Sequence, residues 1–242
     1  MGGKKDKKEE KALVLTGVQE VDEKLGGGIP VGSLVLIEGH SDAGKSVLCQ
    51  HLAHGSLQTG EVGVAYYSTE NTIRSLIAQM DSLSLNTIDY LLSDRFRIFP
   101  LSFHSAQIKD GRKPFTLMAH HFSKLPPRFK VVIVDSLTVL ISHSNAVSII
   151  DFFSECKEIC DEDRTIILVA HSYAFEEDML VRTRSLCDAR FRLKLEQMGD
   201  RLVKILEVLK VHGAERPTGD VVSFDIEPKL GIRIIPLAKA RV

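Results

Sequence analysis

Two glycines, a lysine and a serine stand at fixed spacing in Gly39-His40-Ser41-Asp42-Ala43-Gly44-Lys45-Ser46, which satisfies G-x-x-x-x-G-K-[ST] at every defined position. Each residue type has a chemical reason to be there. Gly39 and Gly44 let backbone N–H groups turn inward and approach oxyanions without a Cβ in the way. A helix that starts at such a loop offers the positive end of its dipole to the same anion. The lysine at this spacing reaches the β- and γ-phosphates of a nucleoside triphosphate, and the serine hydroxyl is a magnesium ligand. The loop therefore implies Mg-ATP, with Gly39, His40, Ser41, Asp42, Ala43, Gly44, Lys45 and Ser46 around its phosphates.

Three further residues have the chemistry to complete such a site. Asp135 ends the β-branched run Val131-Val132-Ile133-Val134, which carries it through a core and releases it at the carboxyl edge of a sheet, where ligands bind in open α/β folds. There it would hold magnesium with Ser46, mostly through water. Ser136 follows it, so no glutamate adjoins Asp135 to activate water. Glu70, after Tyr66-Tyr67-Ser68-Thr69, is the candidate water-activating base on the same edge. Its place also suits the first turn of a helix from Asn71, where a carboxylate meets the helix dipole. His171, after Ala170, either senses the γ-phosphate or closes its strand; its type decides neither.

The elements that must position these residues are legible as hydrophobic patterns. Val18 to Leu25 has helical spacing and stops at Gly26-Gly27-Gly28. Ser33 to Glu38 reads as a buried strand, followed by a helix from about Gly44. Strands are expected over Val62–Tyr67, Phe96–Leu101, Lys130–Asp135 and Thr165–Ala170. Helices are expected over Asn71–Met80, Phe115–Leu125 and Val147–Asp161. This alternation predicts an α/β fold with a mostly parallel central sheet and helices on both faces. After Asp188 the pattern changes. Ala189–Gln197 and Arg201–Val211 alternate around Met198-Gly199-Asp200 as a hairpin, and Val221–Ile226 and Ile232–Ile235 are shorter strands, together an antiparallel C-terminal extension of the same sheet.

The 242 residues, 44% hydrophobic and 26% charged, suffice for one core without disulfides. Residues 12–242 are expected to form a single domain, and the charged residues 1–11 a solvated, mobile tail. A net charge of -1 gives no electrostatic reason to expect nucleic acid. No apolar run is long enough to span a bilayer. Cys49, Cys156, Cys160 and Cys187 include no Cys-x-x-Cys pair; they read as core residues of a reduced, intracellular protein.

With Glu70 after the second strand and Asp135 after a later one, the chain resembles the RecA-like P-loop ATPases. Gly17-Val18-Gln19-Glu20-Val21-Asp22-Glu23-Lys24-Leu25-Gly26-Gly27-Gly28-Ile29-Pro30 is similar to the opening of their KaiC-type members. His171-Ser172-Tyr173-Ala174-Phe175-Glu176-Glu177-Asp178 and Arg182-Thr183-Arg184-Ser185-Leu186-Cys187-Asp188 resemble the KaiC-like ATP-binding components of the archaellum (archaeal flagellum) motor. The resemblance covers about residues 12 to 236. It implies a cytoplasmic ATP-binding protein that assembles as a ring, a hexamer, beneath the membrane platform. Its implied partners are the separate motor ATPase and scaffold proteins, without insertion into the membrane. Gly39, Gly44, Lys45 and Ser46 take the Walker A roles, Asp135 the Walker B role and Glu70 that of the catalytic glutamate.

Two departures qualify this. KaiC-type domains often carry two glutamates after the second strand, and Thr69-Glu70 supplies one. They also present a Lys-Leu-Arg segment to the neighbour's nucleotide, where this chain has Lys210-Val211-His212. Lys210 and His212 are thus the candidates to act in trans, with a histidine in place of a guanidinium fork. Loss of such an arginine removes factors of about 10³ from turnover, so slow or absent hydrolysis is expected. Three functions compete: a nucleotide-gated assembly module of a motility motor, an active KaiC-like ATPase or kinase, and a RecA-type DNA recombinase. The segment after Asp135 lacks lysine and arginine and the one after His171 is acidic, which disfavours DNA.

Overall fold

The computed structural model describes residues 12–60, 62–102, 112–199, 201–214, 216, 218 and 221–236. The charged segment 1–11 and its expected mobility lie outside the described residues. In chain order the elements are β1 (Leu13–Val14), α1 (Gln19–Lys24), β2 (Ile29–Pro30), β3 (Leu34–Gly39), α2 (Lys45–Gln58), β4 (Gly63–Ser68), α3 (Ile73–Ser82), α4 (Ile88–Leu92), β5 (Phe96–Pro100) and α5 (Arg112–Lys124). They continue with β6 (Phe129–Asp135), α6 (Thr138–Ser142), α7 (Ala146–Cys160), β7 (Thr165–His171), a 3-10 turn (Ser172–Ala174), α8 (Glu177–Leu186), β8 (Ala189–Met198), β9 (Arg201–Val211), β10 (Val221–Glu227) and β11 (Gly231–Ile234).

Among the described residues nine strands form one sheet in the order β11-β10-β9-β8-β3-β7-β6-β4-β5. From β8 to β5 every pairing is parallel, and β9, β10 and β11 are added antiparallel at the other end. The extension therefore begins at β9; β8 still runs parallel to β3. A separate small ladder pairs β1 with β2.

Strand alternation divides the core into two layers. Val35 and Ile37 of β3, Val131 and Ile133 of β6, and Ile167 and Val169 of β7 face one side, with Leu48 and Leu52 of α2. Leu34, Leu36, Val132, Val134, Ile166 and Leu168 face the other, against Phe115 and Phe122 of α5 and Phe152 and Phe153 of α7. Burial on both faces explains why the central strands read as unbroken apolar runs. All four cysteines are buried free thiols. Burial raises the Cys160 and Cys187 thiols to about 12, so they pack as small apolar groups.

Three short helical elements escaped the sequence pattern: α4, α6 and the 3-10 turn. Each has too few turns for a hydrophobic period to register. The ten-residue α8 was also missed, because its acidic first turn and Arg182 and Arg184 break up its short apolar face.

Candidate nucleotide-binding site

The loop between β3 and α2 owes its shape to glycines at special positions. Gly39 has φ 151°, and a Cβ there would lie 2.0 Å from the Leu193 carbonyl oxygen of β8. Gly44, at φ 93°, caps α2, with no side chain bonding the helix's first N–H groups. A Cβ on Gly44 would lie 3.2 Å from the Phe224 ring of β10, so the C-terminal extension backs the loop. Glu38, just before Gly39, is buried and held by Arg184 of α8, whose Nη2 lies 2.8 and 2.9 Å from its two oxygens. That fork ties the end of β3 to α8.

A cavity of about 490 Å³ opens beside the loop, at the carboxyl ends of the parallel strands. Ser41, Asp42, Gly44, Lys45, Ser46, Glu70, Asp135 and His171 all line it, with Ser136 and Ile226. Lys45 is nearly buried, and its Nζ donates to the His40 carbonyl at 2.5 Å and the Gly39 carbonyl at 3.4 Å. Burial lowers its pKa, and the charges of Asp135 and Glu70 push it back up. An arriving phosphate would replace the two carbonyls with full negative charge.

Asp135 is buried at the end of β6. Ser46 donates to its Oδ1 at 3.2 Å, and the Tyr66 hydroxyl donates to its Oδ2 at 2.8 Å. Burial raises the Asp135 pKa, and these two bonds oppose the rise. A hydroxyl and a carboxylate converging on an electrostatically strained pocket make a hard oxygen donor set of the kind magnesium takes. Tyr66 was not foreseen. Its signal was a polar tip in an otherwise apolar strand, on the side of the sheet that Val131, Ile133 and Asp135 share.

Glu70 is fixed by stitching between β4 and β6. Thr69 N donates to the Asp135 carbonyl at 3.0 Å, Thr69 Oγ1 donates to the Ser136 carbonyl at 3.1 Å, and Asn71 N donates to Ser68 Oγ at 3.0 Å. The helix α3 starts later than expected, at Ile73, with Thr72 capping Ser75 N. Glu70 therefore lies outside its first turn, and the reading of Glu70 as a dipole partner is corrected. Its carboxylate is exposed to the cavity, and its charge reaches Lys45, Asp135 and His171.

His171 ends β7. Its Nδ1 is 2.9 Å from Thr138 Oγ1, which also receives its backbone N–H and the Ser136 hydroxyl. With two donors already on that oxygen, the threonine hydrogen is assigned to Nδ1, which leaves Nε2–H as a donor. Burial and then Lys45 lower the His171 pKa, so the neutral ring is the favoured form. Tyr173 stacks on it at 5.1 Å. Thr138 and Ile226, which the sequence did not single out, complete the surroundings.

Lys210 and His212 are not part of this cluster. They sit where β9 pairs with the start of β8, at Ala189↔Val211, while the loop follows the far end of β3. Lys210 Nζ donates to the Cys187 carbonyl at 2.6 Å, and the exposed His212 ring lies 4.0 Å from Asp188. Within one chain neither belongs to the cavity.

A protein-family model described as "ATPase: KaiC" matches residues 14–239. The archaeal flagellar ATP-binding protein FlaH of Sulfolobus acidocaldarius is 28% identical over 95% of this chain and 99% of its own length. FlaH of Methanocaldococcus jannaschii is 32% identical, over 89% of this chain and 91% of the relative. The crystal structure of flagellar accessory protein FlaH from Methanocaldococcus jannaschii superposes with a TM-score of 0.81 at 30% identity, covering 93% of this chain and all of that one. The chain thus belongs to the KaiC family of ATPases and, within it, to the FlaH family of archaeal flagellar ATP-binding proteins.

Proposed function

We propose that this protein is the ATP-binding regulatory and assembly component of an archaellum motor, a single domain over residues 12–242 that binds Mg-ATP and hydrolyses it slowly or not at all. The observation that carries the reading is the composition of the cavity. Lys45, Ser46 and Asp135 meet there, whereas no arginine lines it among the described residues. Binding needs the first three; fast phosphoryl transfer also needs charge stabilisation from a neighbouring copy, and there this chain offers His212 in place of an arginine.

In this reading the loop N–H groups and Lys45 hold the β- and γ-phosphates, and Ser46 and Asp135 are the residues that would hold magnesium. Bound magnesium would supply charge neutralisation between the phosphates. Glu70 orients or deprotonates water at the γ-phosphate, and His171 Nε2–H donates to a phosphate oxygen. Lys210 and His212 serve a neighbouring copy. ATP favours a hexameric ring because a ligand stabilises the state that binds it. The ring works in the cytoplasm beneath the membrane platform, with the motor ATPase and scaffold proteins and without nucleic acid. No helix among the described residues is long and apolar enough to cross a membrane, which fits attachment through partners.

Phosphate release by the wild type and by Glu70→Gln tests this. Turnover near the background for both supports the assembly role. The exposed Glu70 carboxylate favours a second reading, an active ATPase or KaiC-like kinase; rapid turnover that Glu70→Gln abolishes would establish that instead.

A further inference from the structure

The turn that carries Glu70 is tied to β6 through Thr69, but its tie to the phosphate loop runs through side-chain amides. Ser46 and Gln50 lie four residues apart on α2 and so project from one side of that helix. Ser46 reaches Asp135, whereas Gln50, only 1% exposed, reaches α3. Gln50 Nε2 donates to Gln79 Oε1 at 3.2 Å, and Gln79 Nε2 donates to Asn71 Oδ1 at 3.0 Å. Asn71 directly follows Glu70, and its Oδ1 also accepts from Ser75 Oγ at 3.2 Å. The amides of Gln50, Gln79 and Asn71 thus bridge the helix of the phosphate loop to the turn that carries Glu70.

Packing does not account for this bridge. Leu48 and Leu52 of α2 and Leu76 and Met80 of α3 already anchor both helices in one apolar layer. An amide at position 50 works against that core, because Gln50 Oε1 is buried with no hydrogen-bond partner among the described residues. Such an oxygen is uncommon and unfavourable, and a methionine of similar length would avoid it. Gln79 is exposed, so water could satisfy its amide equally well. Bonds at both its donor and its acceptor instead hold a long side chain in one place, at a cost in entropy. Groups that oppose stability in this way are characteristic of positions that serve a reactive site.

Two sets of bonds therefore locate Glu70. Thr69 fixes its turn to the Asp135 and Ser136 carbonyls of the magnesium side. Those bonds leave its place relative to Lys45 and Ser46 open, and these two residues begin the same helix as Gln50. The amide bridge supplies that second coordinate. We infer that Gln50, Gln79 and Asn71 are positioning residues for hydrolysis, setting Glu70 against the γ-phosphate through a bridge from α2. The inference rests on the role given to Glu70 above. None of the three lines the cavity, so they act on the rate through Glu70 and leave nucleotide binding to the loop. Misplacing a catalytic group by about 1 Å can lower a rate by up to about 10².

Single-turnover hydrolysis of Mg-ATP by the full-length protein in excess tests the bridge, together with fluorescent-nucleotide titration and thermal unfolding. Gln79→Met and Gln50→Met should each lower the hydrolysis rate about tenfold or more and keep Mg-ATP affinity within about twofold. Gln50→Met should unfold at the same temperature or higher, because the unpaired oxygen is gone. Gln79→Glu offers two oxygens, one to Gln50 Nε2 and one to Asn71 Nδ2, and should recover most of the rate. An unchanged rate in either methionine variant, or a loss of affinity that matches the loss of rate, overturns the inference. So does a Gln50→Met midpoint that falls, or a Gln79→Glu protein as slow as Gln79→Met. A wild type that never converts its bound ATP also overturns it and leaves the assembly role standing. A wild type that fails to bind Mg-ATP sinks the proposed function and the inference with it.

Discussion

Ser46 donates to Asp135 Oδ1 at 3.2 Å across 89 residues of sequence, and so joins the first turn of α2 to the end of β6. The bond brings together a hydroxyl and a carboxylate that lie far apart in the chain and directs both into one cavity. Tyr66, donating to the second oxygen at 2.8 Å, prevents the buried carboxylate from turning away.

Replacing Tyr66 by phenylalanine removes that second donor and leaves a buried carboxylate oxygen unpaired. A hydrogen bond to a charged group contributes about 1.5–3 kcal/mol, so urea unfolding of Tyr66→Phe should show a loss of that order. The magnesium concentration needed for ATP binding should rise as well. Unchanged stability and unchanged magnesium dependence would show that Tyr66 does not hold Asp135.

Gly39→Ala places a methyl group 2.0 Å from the Leu193 carbonyl oxygen at a backbone angle of φ 151°. Either β8 separates from β3 or the loop is rebuilt, and the destabilisation should exceed about 3 kcal/mol. Equilibrium unfolding and ATP binding both report it. An alanine variant with normal stability would mean that β8 yields easily at Leu193.

His51, buried in α2, accepts from Ile232 N of β11 at 3.1 Å, and burial lowers its pKa to about 4. A histidine held below its unfolded value near 6.5 stabilises the fold fully above pH 6.5. That contribution declines as pH falls toward 4, because the unfolded chain takes up the proton first. The span corresponds to about 3 kcal/mol. His54, His121 and His171 are lowered too, so the comparison with His51→Gln isolates one residue. The wild type should lose more stability between pH 7 and 4.5 than the variant; equal losses would count against this role for His51.

The parallel sheet could be read from Val131–Val134 and Ile166–Ala170 because strands buried on both faces have no polar alternation to confuse them. The loop glycines were legible for a similar reason: a local backbone demand leaves a local trace. Thr138 and Ile226 left none, and Tyr66 left only a polar tip in an apolar strand, since each matters through an element distant in sequence. The late start of α3 at Ile73 depended on Thr72 bonding Ser75 N and on Ser68 Oγ receiving Asn71 N–H. Serine and threonine are too common for that pair of bonds to stand out. Lys210 and His212 were singled out through a resemblance alone, and both lie outside the cavity, where β9 pairs with the start of β8.

Glu70→Gln should leave ATP affinity within about threefold, because the carboxylate lines the cavity without bonding the loop. It should remove whatever slow hydrolysis the wild type has. Fluorescent-nucleotide titration and phosphate release, run together, check both halves. A large loss of affinity would give Glu70 a binding role instead.

If holding ATP governs assembly, the size of the assembly must follow the nucleotide. Solution mass by sedimentation or light scattering, with and without Mg-ATP, for wild type and Lys45→Ala, tests it most directly. Mg-ATP should drive the wild type into a ring-sized species and leave Lys45→Ala unchanged. A wild type whose mass and thermal stability are both indifferent to Mg-ATP would contradict it.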